Sequence, residues 1–216
     1  MQRLIVFTFV TILVVGLVIN AQAQECGPGC PICSGSGSST GAILPSGAMV
    51  LTAMAIPNGE DDTGIFNLRA GVTSWLDLGL GYGIKSEKLI WSVRFQPIAE
   101  DESSWRPGII LGTGSVRTGG SDQSVFLQVT KAFDFSEKIS ARFSVGIASL
   151  LPELNQEFLL AGVTLTVNEH WSPFLSYDGR NFHFGLSWIP IDWLFIAGFM
   201  VEAKNPAILV GYRWSF

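Results

Sequence analysis

The feature that most constrains this chain is a two-residue alternation that runs from Gly47 to the last residue. It comes in segments of roughly ten residues, each closed by turn-forming residues. The final segment is the plainest: Ile208, Val210, Tyr212, Trp214 and Phe216 alternate with Leu209, Gly211, Arg213 and Ser215. A strand sends successive side chains to opposite faces, so one face is apolar and the other mostly small or charged. A helix would scatter these residues around its axis. An apolar outside and a polar inside is the pattern of a strand between lipid and an aqueous lumen.

Twelve such segments are predicted, at 47–56, 63–72, 76–85, 88–96, 107–117, 123–133, 139–149, 157–167, 171–178, 181–189, 193–202 and 206–216. The third is clear, with Leu76, Leu78, Leu80, Tyr82 and Ile84 set against Asp77, Gly79, Gly81, Gly83 and Lys85. The fifth and sixth alternate less well. An even number of strands closes an antiparallel barrel with both termini at one end, here expected to be periplasmic. Trp75, Trp105, Trp171, Trp188, Trp193 and Trp214 then all fall at or beside that end, and only Trp91 does not. An amphipathic indole belongs at a membrane interface, so these six are predicted to form a girdle. The links at the opposite end are short, and none is expected to be long enough to act as a plug.

The chain opens with the basic head Met1-Gln2-Arg3, an apolar run from Leu4 to Ile19, and the small-x-small site Ala21-Gln22-Ala23. This reads as a secretory signal peptide over 1–23, cut after Ala23. Cys26 lacks a preceding lipobox, so no lipid attachment is expected there. Export leaves 193 residues, and loss of Arg3 takes the net charge from −5 to −6, which argues against a nucleic-acid partner. No later stretch has the apolar length of a membrane helix. Yet 48% of residues are hydrophobic and 14% charged, against about 25% charged in ordinary soluble domains.

Residues 24–46 form a separate Cys-containing segment and linker ahead of the barrel at 47–216. Cys26, Cys30 and Cys33 have C-x3-C-x2-C spacing, matching the cluster loop of radical SAM enzymes. Export into an oxidising compartment argues against that role and for one disulfide with an odd thiol left over. That thiol is free to pair with a periplasmic partner or to help hold a metal. Haem attachment would need a His directly after a C-x-x-C pair, which is missing. Ser34 to Gly41 reads SGSGSSTG, a flexible linker.

Ten polar residues are predicted to face the lumen: Arg69, Asp77, Lys85, Lys88, Arg94, Arg142, Asp178, His183, Glu202 and Arg213. They either pair across the barrel and brace it, or give a water-filled channel a basic lining that favours anions. Catalysis is not expected. On one strand His183 and Ser187 would stand about 13 Å apart at 3.3 Å per residue, too far for proton transfer. His170 lies in a turn, and neither a metal site nor a cofactor is anticipated in the barrel.

The terminal Tyr212, Trp214 and Phe216 resemble the C-terminal signal of bacterial outer-membrane β-barrel proteins, which implies recognition by the outer-membrane insertion machinery. The mature chain as a whole looks like such a barrel. A shorter stretch, Tyr177-Asp178-Gly179-Arg180-Asn181-Phe182-His183-Phe184-Gly185-Leu186, resembles a repeat in YjbH-type outer-membrane proteins of exopolysaccharide systems, with His183 departing from the usual pattern. That resemblance implies a part in polysaccharide secretion. The expected fold is therefore an all-β, antiparallel transmembrane barrel of about twelve strands in the outer membrane of a Gram-negative cell, surrounded by lipid. Three functions follow: a small passive pore, a closed structural or adaptor barrel that docks a partner through its cysteines, and, least favoured, a soluble barrel of lipocalin type.

Overall fold

The computed structural model describes residues 43–60, 62–101, 104–154 and 156–216. The predicted signal peptide, the three cysteines and the Ser/Gly linker lie outside the described residues. The twelve strands are β1 (Ala48–Ala55), β2 (Gly64–Thr73), β3 (Leu76–Gly83), β4 (Leu89–Ile98), β5 (Gly108–Gly114), β6 (Ser124–Ser136), β7 (Ile139–Leu150), β8 (Glu157–Val167), β9 (Trp171–Tyr177), β10 (Phe182–Ile191), β11 (Leu194–Val201) and β12 (Asn205–Ser215). Each pairs antiparallel with its sequence neighbours, and β1 pairs with β12 from Ala48↔Ser215 to Ala55↔Ile208, which closes the barrel. The end carrying the β1–β12 termini is called the near end below, and the opposite one the far end.

The outer face is an apolar belt. Leu80, Trp91, Val145, Ile147, Phe184 and Ile208 all stand exposed at mid-wall, a surface that only lipid or a partner can cover. At the near end the cross-strand pair Trp171↔Trp188 stacks with ring centroids 5.6 Å apart, Trp193 meets Tyr212 at 5.4 Å, and Trp75 meets Phe95 edge-on at 5.6 Å. Trp105 lies against Phe133 at 5.7 Å and Trp214 against Tyr212 at 5.4 Å. All six expected indoles thus sit on near-end strand ends or turns, five of them exposed, while Trp214 is buried.

The inner face differs from the polar lining that alternation predicted. Ala48, Val50, Phe174, Ile189, Phe195, Ala197, Phe199 and Leu209 pack together along β1 and β9–β12. Ile110, Phe126, Ala148 and Leu160 form a second apolar cluster across β5–β8. β11 explains why this was not foreseen, because Phe195, Ala197, Phe199 and Val201 face inward while Ile196 and Met200 face outward. A strand apolar on both faces has no alternation to read.

Candidate functional site

A charged part of the lumen is a near-end patch on β2, β3 and β4, while buried hydroxyls and Gln128 lie on the inner face of β6–β10. Asp77 lies opposite Arg94 and Arg69 opposite Gly79 in the strand registers, so Arg69, Asp77 and Arg94 face one another inside the wall. Asp77 is fully buried, and its Oδ2 takes a short contact from Arg69 Nη2 and the N–H of Leu44 at 3.1 Å. A buried carboxylate requires such partners, since an unpaired one would be too costly to keep ionised. Arg94 is 5% exposed and lies with its guanidinium 5.8 Å from the Phe126 ring centre. Arg213 projects from β12 and donates Nε–H to the Asp192 carbonyl in the β10–β11 turn.

Arg142 of β7 is held by a carboxylate from the link between β4 and β5. Glu100 Oε2 accepts from Arg142 Nη1 at 2.6 Å, its Oε1 accepts the N–H of Ala132, and Lys131 Nζ lies 3.8 Å away. The arrangement follows from unequal strand lengths. β5 begins opposite Thr130, so β6 beyond that point has no β5 partner for its N–H groups, and Glu100 covers the edge. Glu100→Ala removes these partners together. We expect it to lower barrel stability by about 1.5–3 kcal/mol, the usual worth of a hydrogen bond to a charged group, read as an earlier heat-induced mobility shift on gels.

Lys85, Lys88, Asp178 and Glu202 do not line the strand walls as expected. All four lie in far-end turns, because β3 stops at Gly83, β4 starts at Leu89, β9 stops at Tyr177 and β11 stops at Val201. Asp62 fixes the β3–β4 turn by accepting from Lys85 N–H at 2.8 Å, Ser86 N–H at 3.0 Å and Ser86 Oγ at 2.7 Å. Lys85 Nζ then donates to the carbonyls of Gly59 and Glu60, and Lys88 pairs with Asp122 at 3.1 Å in an exposed bridge of small energetic weight. The inward charges on the described strands are therefore Arg69, Arg94, Arg142 and Arg213 against Asp77 and, at the near-end tip of β6, Asp134.

The far mouth holds a feature opposite to the expectation of short, uninvolved links. The chain leaves the wall after Gly114, so Ser115–Arg117 are not strand, and residues 115–123 fold inward. Val116 is buried in the β5–β8 cluster, and the Arg117 guanidinium lies 5.4 Å from the Phe158 ring centre. Gly119, at φ +80°, approaches Ile56 and Val201 on the other side of the mouth so closely that a Cβ there would lie 2.8 Å from Ile56 Cδ1. Glycine suits both the left-handed conformation and the contact.

A latch holds this loop. Thr118 N–H donates to Asp178 Oδ2 at 3.2 Å, and the same oxygen lies 2.8 Å from His183 Nε2. His183 Nδ1 accepts the Glu202 N–H at 3.1 Å, which sets the neutral tautomer with the proton on Nε2. With both ring nitrogens engaged, His183 has none left to accept a proton from Ser176, its cross-strand neighbour. Burial pushes the Asp178 carboxyl up, but the bond donated by His183 and those from the N–H groups of Asn181 and Arg180 together bring it below its ordinary value. A depressed carboxyl stabilises the fold above its unfolded pKa and loses that contribution as pH falls through the folded one. The Asp178 side of the latch is thus in place at neutral pH, and acid releases it only below the usual carboxylate range.

At the near mouth Ile43 and Leu44 also enter the lumen. Leu44 is 1% exposed among the β1 and β9–β12 residues, and Ile43 joins the β5–β8 cluster. The last residues of the segment expected to be linker thus form a strap across the near end.

No family model and no curated protein sequence matches this chain. Among solved structures it is similar to the KdgM porin, with a TM-score of 0.51 at 11% identity over 78% of this chain and 99% of that one. The Acinetobacter baumannii outer membrane protein Omp33 aligns at TM-score 0.45 and 9% identity, covering 78% and 97% of the two chains. An outer membrane channel from Pseudomonas putida aligns at 0.41 and 13%, covering 89% and 100%. The chain has the fold of an outer-membrane porin. Within that porin-type barrel, sequence reasoning placed Arg69, Asp77, Arg94, Arg142 and Arg213 on the wall and left Asp134 in a turn; it also missed Glu100, Thr118, Ile43 and Leu44. The Glu100 signal was present in principle, since an acidic residue in the longest near-end link faces two basic strand residues. The other three act through contacts that no local pattern announces.

Proposed function

We propose that this barrel is a narrow outer-membrane pore for ions or small solutes with a mild preference for anions. The observation that carries the reading is the charge of the wall, where Arg69, Arg94, Arg142 and Arg213 outnumber Asp77, Asp134 and the Glu100 carboxylate that pairs with Arg142. Fixed positive charge in a confined, low-dielectric passage draws anions and repels cations. A hydrated interior agrees with it. Ser92, Ser124, Thr130, Ser172, Ser176 and Ser187 carry buried hydroxyls with no protein partner, and buried hydroxyls ordinarily find water when protein groups do not serve them.

Purified protein in a planar bilayer under a salt gradient tests the proposal. We expect discrete current steps with a reversal potential on the anion side, shifted toward zero by Arg142→Gln. A cation-side reversal potential would overturn the anion preference, and a folded but silent barrel would overturn the pore. The silent outcome belongs to a second reading favoured by the strap and the two apolar clusters: a closed structural barrel whose cysteine segment docks a periplasmic protein. Its mark is a mixed disulfide through Cys26, Cys30 or Cys33 on non-reducing gels, lost when all three are replaced by Ser.

A further inference from the structure

We infer that Arg94 is the centre of a binding site for a singly charged planar oxyanion, a carboxylate or its like, inside the near half of the lumen. Arg94 is buried, makes no ion pair among the described residues, and has an Nε without a hydrogen-bond partner. Nε forms one tooth of the guanidinium's side-on fork, the edge that matches the two oxygens of a carboxylate. Its cross-strand neighbour Asp77 is committed to Arg69, so the Arg94 fork has no carboxylate hydrogen-bonded to it.

The surroundings are built for convergence. Two lanes of glycine let side chains meet where a Cβ would block them. At Gly79 a Cβ would lie 2.4 Å from Ser92 Oγ and 2.8 Å from Arg69 Cγ, and at Gly112 it would lie 2.5 Å from Phe126 Cζ. Ser92 Oγ, two residues before Arg94 on the same inward face, is buried and unpartnered, so it can donate to the same ligand. Asp77 is already engaged by Arg69 and Leu44 N–H. The three charges Arg69, Arg94 and Asp77 sum to +1. The bond-free Asp77 Oδ1 adds negative potential nearby, which sets the site against dianions and in favour of a monoanion. Phe126 supplies an apolar wall for the flat face of such a ligand.

The site rests on the pore reading for its route of access, but binding itself does not need conduction. Folded protein in detergent, titrated with ¹³C-acetate and followed by line broadening, should show saturable binding displaced by nitrate and weakly or not at all by sulfate. Arg94→Lys keeps the charge and loses the fork. It should weaken acetate at least about tenfold, the loss of one charge-assisted hydrogen bond, with Ser92→Ala giving a smaller loss in a barrel certain to keep its charge balance. In bilayers the current should saturate with acetate concentration and should saturate later in Arg94→Lys. Linear, unsaturable acetate binding in the folded wild type, or equal affinity in wild type and both variants, would overturn the site. Binding in detergent without bilayer current would overturn the pore and leave the site standing.

Discussion

Asp178→Ala should raise single-channel conductance several-fold and make the current noisier. The substitution deletes the one carboxylate that holds Thr118 N–H and His183 Nε2 together at the far mouth. It leaves a buried imidazole N–H without its acceptor, at a cost of about 1–3 kcal/mol. Loop 115–123 then keeps its apolar contacts, the Arg117–Phe158 stacking, and the rim bonds of Asp122 to Lys88 and of Gln123 to the Trp91 carbonyl. Replacing residues 116–121 by two glycines should reproduce the larger conductance without touching the latch itself. A shortened loop with wild-type conductance would show that the constriction lies elsewhere, with the near-end strap as the next place to shorten.

Gly211→Val should prevent the barrel from assembling. A Cβ at Gly211 would lie 1.9 Å from Phe195 Cζ and 2.1 Å from its Cε1. The ring is 3% exposed within the β1 and β9–β12 cluster, so it has no free volume to turn into. Overpacking a well-filled core ordinarily costs about 1–3 kcal/mol. Here it falls on β12, the strand that must pair with β1 to close the wall. The folded, fast-migrating form on cold gels should be absent. Phe195→Ala in the same chain should restore it, because the second change removes the atoms the first one strikes. A single Gly211→Val variant that still folds would mean that Phe195 has another rotamer open to it.

The barrel itself was legible because its outer face obeys one rule throughout. Leu78, Leu80 and Tyr82 all face lipid, so a period of two survives however the inside is filled. The near-end tryptophans were legible for the same reason, since the membrane interface imposes its demand at fixed depth. The lumen was harder. Phe174, Phe195 and Phe199 point inward although alternation assigns the inside to polar residues, because part of this lumen is packed as a core. Turn boundaries misled the placement of Lys85, Lys88, Asp178 and Glu202: one or two residues past a strand end, a side chain no longer belongs to either face. The latch joins residues 60 apart in the chain, and the strap joins Leu44 to Asp77 across 33. Such contacts depend on which strands become neighbours, and periodicity within one segment carries no trace of that.

The uneven wall has a consequence for the bilayer around it. β6 has 13 residues and β7 has 12, beside 7 in β5. The surplus of six residues over β5 is about 20 Å of strand at 3.3 Å per residue, all of it at the near end. Lys131 faces outward at the base of this extension and gives its ammonium to the Asp101 and Ser104 carbonyls, each at 2.8 Å, as a lysine at the headgroup level must find polar company. A membrane of even thickness cannot meet both the short and the tall sides of such a cylinder. Either the molecule leans, or the lipids beside β6 and β7 stretch while those beside β5 thin. Lipids around this protein would then be sorted by length according to which strand they touch, and neighbouring barrels would find one flank cheaper to approach than the other.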